Sequence, residues 1–85
     1  MKTNNRLKTT QKRNDFLAPI VNELARIRIE KGLDQVELAY QLGVTDYLVA
    51  KWECGIRTPS AFNLYCWADA LDAKFLICAN DNVPA

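Results

Sequence analysis

The chain has no histidine, and its three cysteines, Cys54, Cys66 and Cys78, form no CxxC pair. A zinc site therefore has no ligand set to assemble from, and no metal is expected. Only three glycines are present, none in a phosphate-cradling loop. No paired carboxylates mark a cleft, so neither an enzyme nor a cofactor is expected. No apolar run approaches the roughly 20 residues of a membrane span, and the N-terminus lacks the apolar segment of a secretory signal. The expectation is a cytoplasmic chain that does not enter membranes. An odd number of cysteines in the cytosol reads as free thiols. Cys54 falls in a turn, where redox sensing is the alternative to a small, half-buried residue.

What is present is ordinary for a globular domain. Eighty-five residues, 49% hydrophobic and 25% charged, make one small domain with a modest core. The charge is uneven. Lys2, Arg6, Lys8, Lys12 and Arg13 stand against Asp15, giving residues 1–15 a net +4, while the remainder carries −3, within a whole-chain charge of +1. A basic footprint is the usual mark of a nucleic-acid binder. Here it lies in the N-terminal arm, on a slightly acidic body.

Residues 1–14 are polar and basic, with too little apolar surface to offset ordering entropy, and read as a mobile arm. Such an arm either follows a DNA backbone or only solubilises. Residues 15–72 read as the folded domain. A first helix starts near Leu17 or Pro19, a proline being tolerable in a first turn. It runs to Lys31 with Leu17, Ile20, Leu24, Ile27 and Arg28 on its inner face, and Gly32 ends it. Asp34 caps a second helix over 35–42, and Glu37 completes a capping-box pattern. Gly43 supplies the positive φ of a tight turn. Thr45 is the expected cap of a third helix over 46–54. Ser60 caps a fourth over 61–71.

Across the middle stretch, Leu38, Leu42, Val44, Val49 and Trp52 face inward, and Ala39 is small where two helices cross. A helix, a tight glycine turn and a second helix make a helix-turn-helix, whose second helix commonly reads the major groove. Residues 73–80 differ. The run from Ala73 through Phe75, Leu76 and Ile77 to Ala79 is short, apolar and partly aromatic, and suits a β-strand better than a short final helix. A lone strand needs a partner, most economically the same strand of a second copy, which places Phe75, Leu76 and Ile77 in a dimer interface. Residues 81–85 are a tail.

The chain resembles the Cro/phage-repressor class of helix-turn-helix proteins, the XRE family. The residues that carry the resemblance are Lys31-Gly32-Leu33-Asp34-Gln35, Glu37-Leu38-Ala39, Leu42-Gly43-Val44, Trp52-Glu53, Gly55, and Thr58-Pro59-Ser60 leading into Trp67-Ala68-Asp69-Ala70-Leu71. It spans about residues 20–72. Small phage and plasmid repressors and restriction–modification controllers look similar. The resemblance implies an all-α, lambda-repressor-like domain of about four helices and a bacterial or phage chain that acts at the nucleoid. It implies a dimer binding a palindromic stretch of double-stranded DNA as repressor or autoregulator.

Position by position, the family implies base contacts from Tyr47, Lys51 and Asp46. For Asp46 a plain first-turn carboxylate is the alternative. It implies phosphate contacts from Gln35, whose amide also braces the third helix, and from Thr45, Cys54 and Arg57, with Arg13 added from the arm, and an ion pair between Arg28 and Glu53 that ties the first helix to the third. The chain departs from the family at Tyr40, Leu48 and Ala50, which are apolar or aromatic where relatives are often polar. Those departures and the acidic body leave a second reading open. In it, an antirepressor or antiactivator grips another transcription regulator through an exposed patch of Tyr40, Tyr47 and Leu48.

Overall fold

The computed structural model describes residues 4–79. Four helices follow in order: α1 (Asn4–Glu30), α2 (Gln35–Leu42), α3 (Leu48–Glu53) and α4 (Ala61–Ala70). No strand occurs among the described residues.

Each break between helices has a local cause. Gly32 leaves α1 with φ 74°, and Gly43 leaves α2 with φ 71°, a region in which a Cβ would crowd the following carbonyl. At the start of α2, Asp34 accepts from the Glu37 N–H while Glu37 accepts from the Asp34 N–H, which closes the capping box. Ser60 accepts from the Asn63 N–H and opens α4.

The core gathers Val21 and Leu24 of α1, Leu38 and Ala39 of α2, Val49 and Trp52 of α3, and Leu64, Trp67 and Ala68 of α4, with Leu71 closing the end. Trp52 and Trp67 stack with ring centroids 5.7 Å apart, so a pair of large flat surfaces fastens α3 onto α4. Ala39 is fully buried. With only a methyl at that position the helix-turn-helix pair can approach closely.

Three sequence expectations are corrected. The first helix does not begin at Leu17 or Pro19. It begins at Asn4, and Pro19 lies inside it. Residues 4–14, expected to be a mobile arm, are therefore helical. The register that puts Leu17, Val21 and Leu24 on the core continues outward without a break, at the cost of one backbone bond at Pro19. Residues 1–3 lie outside the described part.

The expected strand is absent as well. Residues 73–79 take no regular structure, and a single chain offers no second strand to pair with. Phe75, Leu76 and Ile77 are 45%, 86% and 98% exposed. Residue 80 and the tail over 81–85 fall outside the described residues.

Finally, α3 is shorter than expected. Asp46 and Tyr47 form a turn, Tyr47 is the N-cap with no side-chain capping bond, and the Leu48 N–H is taken by the Thr45 carbonyl at 3.0 Å. The Thr45 hydroxyl does not cap the helix, because the turn inserts two residues between them.

Candidate nucleic-acid interface

The short helix α3 has two unlike sides. Its inner side carries Val49 and Trp52, both buried, with Leu48 half-buried against the same core. Its outer side carries Lys51, exposed, and the preceding turn presents Tyr47, 73% exposed, and Asp46, also exposed. The three residues expected to meet bases thus lie together on solvent-facing surface. Leu48 does not join Tyr40 and Tyr47 in an apolar patch, since its side chain is drawn inward, whereas the two tyrosines are exposed.

Behind α3 lies a polar lock. The Arg28 Nε donates to Glu53 Oε2 at 2.7 Å and its Nη2 donates to Glu53 Oε1 at 2.9 Å, a two-pronged carboxylate contact of the strong type. The remaining guanidinium nitrogen, Nη1, donates to the Leu33 carbonyl at 2.8 Å. The Gln35 Nε2 donates to the same Glu53 Oε1 at 2.8 Å. The Arg28 and Glu53 side chains are only 10% and 12% exposed. One carboxylate at the end of α3 therefore ties together the end of α1 and the first turn of α2, and Arg28 adds the loop between them. A buried pair with its donors satisfied fixes geometry more than it adds stability, and what it fixes here is the seat of α3.

The C-terminal end of α3 is equally determined. The Lys51 carbonyl accepts from the Ile56 and Arg57 N–H groups at 3.0 and 3.2 Å, and the Cys54 thiol lies 3.6 Å from it. Gly55, at φ 84°, lets the chain fold back to make these bonds. Arg57 and Cys54 are exposed on this loop, and Thr45 is exposed at the other end of the turn. Gln35 is half-buried, and its amide is already engaged by Glu53. Arg13 is exposed on α1, distant in sequence from the turn and loop but helical rather than in an unstructured arm.

Sequence reasoning named Arg28, Glu53 and Gln35 through the resemblance but missed two partners. The Leu33 carbonyl was invisible because backbone acceptors leave no residue signature. Asn14, which lines a groove against the α3–α4 loop, was assigned to the arm. Its place three residues before Leu17 on the same helical register was the available signal.

A family model described as helix-turn-helix matches residues 24–76, well over half of the chain. The chain belongs to the Cro-type helix-turn-helix family. Its fold is that of a DNA-binding regulatory domain, and the family is not one of enzymes. No curated protein and no solved structure matches the chain. Within this helix-turn-helix protein, the matched region starts at Leu24 and leaves the first twenty residues of α1, 4–23, outside it. Among the described residues, no helix is long and apolar enough to cross a membrane.

Proposed function

We propose that this helix-turn-helix protein is a sequence-specific transcription regulator that places α3 in the DNA major groove. The observation that carries the reading is the division of α3: an inner side buried and locked through Glu53, and an outer side that exposes Tyr47 and Lys51. A rigidly seated helix with free polar groups outward is what reading base edges requires, because the donors and acceptors of bases are fixed in space. Lys51 donates to guanine O6 or N7. Tyr47 offers its ring to a thymine methyl and its hydroxyl as a hydrogen-bond partner. Asp46 accepts from a cytosine N4 amine, at an electrostatic cost from neighbouring phosphates of the same charge.

Phosphate contacts set the register. An amide nitrogen carries two hydrogens. The Gln35 amide spends one on Glu53 and has the other for a phosphate. Thr45, the backbone at Cys54, Arg57 and Arg13 supply the rest. Two copies, joined through the exposed Phe75, Leu76 and Ile77, set two recognition helices about 34–36 Å apart, one turn of a palindromic site. Such a protein acts as repressor or autoregulator.

A second reading keeps one observation in its favour. Tyr40 and Tyr47 are both exposed aromatic side chains, on an acidic body, and would suit gripping another regulator. Binding-site selection with the purified protein separates the two. The proposal expects enrichment of a two-fold symmetric sequence. Failure to retain any duplex at low salt, together with capture of a regulator in the absence of DNA, overturns it.

A further inference from the structure

A strip of exposed apolar side chains runs from α4 into the C-terminal segment. Phe62 and Tyr65, both exposed on α4, stack with ring centroids 6.4 Å apart. Tyr65 and Phe75 line one groove. Phe75 leads into Leu76 and Ile77, the two most exposed large apolar side chains among the described residues. At about 200 Å² for a whole ring side chain, Phe62, Tyr65 and Phe75 leave about 350 Å² uncovered at the exposures they have. Leu76 and Ile77 add a comparable amount. The strip thus approaches the roughly 800 Å² that each partner gives to a stable interface, and it is more than a monomer usually leaves open in one patch.

The strip stands beside a socket. Residues 73–75 form a ridge between two grooves, since Ala73, Lys74 and Phe75 line both. The groove on the α4 side carries Asp69 and Asp72, and carboxylates do not suit an apolar occupant. The groove on the α1 side, about 300 Å³, is walled by Pro19, Ile20, Leu24 and Ile27 of α1 and by Ala68 of α4. Glu23 and Lys74 are the charged residues of its lining, and the rest is apolar. It shares no residue with the groove beside the α3–α4 loop, so this face is separate from the one that follows α3.

The chain itself points to what fills the socket. Residues 80–85 have Val83 as their one large apolar side chain and carry Asp81, too little apolar surface to line such a groove. Leu76 and Ile77 are apolar enough. In their own chain, however, they stand almost wholly in solvent, although Leu76 sits at the rim of the groove. A second copy supplies the same two side chains from outside. An apolar ridge next to an apolar groove on one face is self-complementary, because a two-fold rotation sets each ridge against the other's groove.

We infer that residues 75–77 of one copy dock in the α1–α4 groove of a second copy, whose own segment fills the first groove in return. This rests on the dimer proposed above and names the surface that receives each segment. Side chains seated in a groove need no paired strands, and residues 73–79 have no regular structure.

The test uses the full chain with Cys54→Ser and Cys66→Ala, which leaves Cys78, next to Ile77, as its one thiol. Glu23→Cys adds a second thiol on the groove. Glu23 is exposed, and far-ultraviolet circular dichroism verifies that the fold is kept. Sedimentation velocity gives the dimer dissociation constant. The chain is then oxidised under dimeric conditions, separated by non-reducing electrophoresis, and its linked peptides are identified by mass spectrometry.

The expected result is a covalent dimer whose link joins position 23 of one chain to Cys78 of the other. Ile77→Ser in the wild-type chain raises the dissociation constant about thirtyfold or more, the loss that a central anchor gives. A 23–78 link found only in the monomer band overturns the docking, because each segment would then fold onto its own chain. A dimer linked only through other pairs, or not linked at all, also overturns it and leaves the proposed dimer standing. A wild type that stays monomeric at the highest attainable concentration removes the dimer and the docking together.

Discussion

The two helices of the helix-turn-helix are held in different ways. Helix α2 has its own local supports: Asp34 in an extended conformation with ψ 170°, a closed capping box, and Gly43 in the left-handed region at its end. Helix α3 is six residues long with no side-chain cap, and its N-cap Tyr47 has ψ 1°. A helix so short has no stability of its own. It exists because Val49 and Trp52 are buried beneath it and because Glu53 is pinned by Arg28 and Gln35. The supporting helix is thus specified locally, and the presenting helix is specified by tertiary contacts. The presenting helix keeps its outer residues free of structural duties.

The sharpest way to break this contrast is to remove the pin. Glu53→Ala leaves the Arg28 guanidinium and the Gln35 amide without their acceptor in a nearly buried site. A loss of about 3–5 kcal/mol is expected, read by urea denaturation. A loss below about 1 kcal/mol would mean that α3 is seated by its apolar side alone.

A smaller effect is expected at α2. Asp34→Ala removes a capping bond and should cost about 1 kcal/mol in the same assay, with α3 left in place. If Asp34→Ala cost as much as Glu53→Ala, the distinction between local and tertiary support would fail.

Giving α3 a capping side chain should do almost nothing. Ser at a helix start caps from extended backbone, as Ser60 does at ψ 166°, and Tyr47 is not extended. Tyr47→Ser is therefore expected to change stability by less than about 0.5 kcal/mol, against the gain of about 1 kcal/mol that a competent cap supplies. A clear gain in melting temperature would show that the turn before α3 can rearrange.

The smallest effect belongs to the exposed face of α1. The Arg26 Nη2 lies 2.6 Å from Glu23 Oε2, and its Nη1 is 3.3 Å from Glu30 Oε2. The hydrogen bond from Arg26 lowers the Glu23 carboxyl below its ordinary 4.5. A lowered carboxyl contributes stability above its unfolded value and loses it as pH falls through the folded one. Glu23→Gln should thus melt slightly below the wild type at neutral pH, and the gap should close as the pH is taken down from 4.5. A gap that widened in acid would reverse the sign of this account.

How much could be read from the sequence follows the same division. Gly43, the Asp34–Glu37 capping box and the Ser60 cap are local, and each was recognisable from residue type and spacing. The alternation of buried positions from Leu38 to Trp52 was equally plain. The start of α3 was misplaced because Thr45 has the chemistry of a cap, while the turn that displaces it is set by backbone bonds that any residue can make. The outer part of α1 was read as unstructured because composition reports whether a segment can bury surface, and residues 9–16 are exposed. A helix continued outward from an anchored register needs no burial for each residue. The strand expected at Phe75–Ile77 depended on a partner that one chain does not contain.

The Arg28–Glu53 pair came only through resemblance. Twenty-five residues separate the two, and no periodicity links them. The resemblance also implied that the Gln35 amide braces the third helix, and its bond to Glu53 is that brace. The seat of α3 and the proposed phosphate contact therefore share one residue.

The central claim is that the outer side of α3 reads bases. Its most direct test is the affinity of Lys51→Ala for a selected duplex and for a scrambled one at fixed salt. Loss of a base-edge contact predicts a penalty of about 1–3 kcal/mol, roughly five- to 150-fold, on the selected duplex, with a much smaller change on the scrambled one. Binding of the selected duplex as tightly as by the wild type, or equal weakening on both, would contradict it.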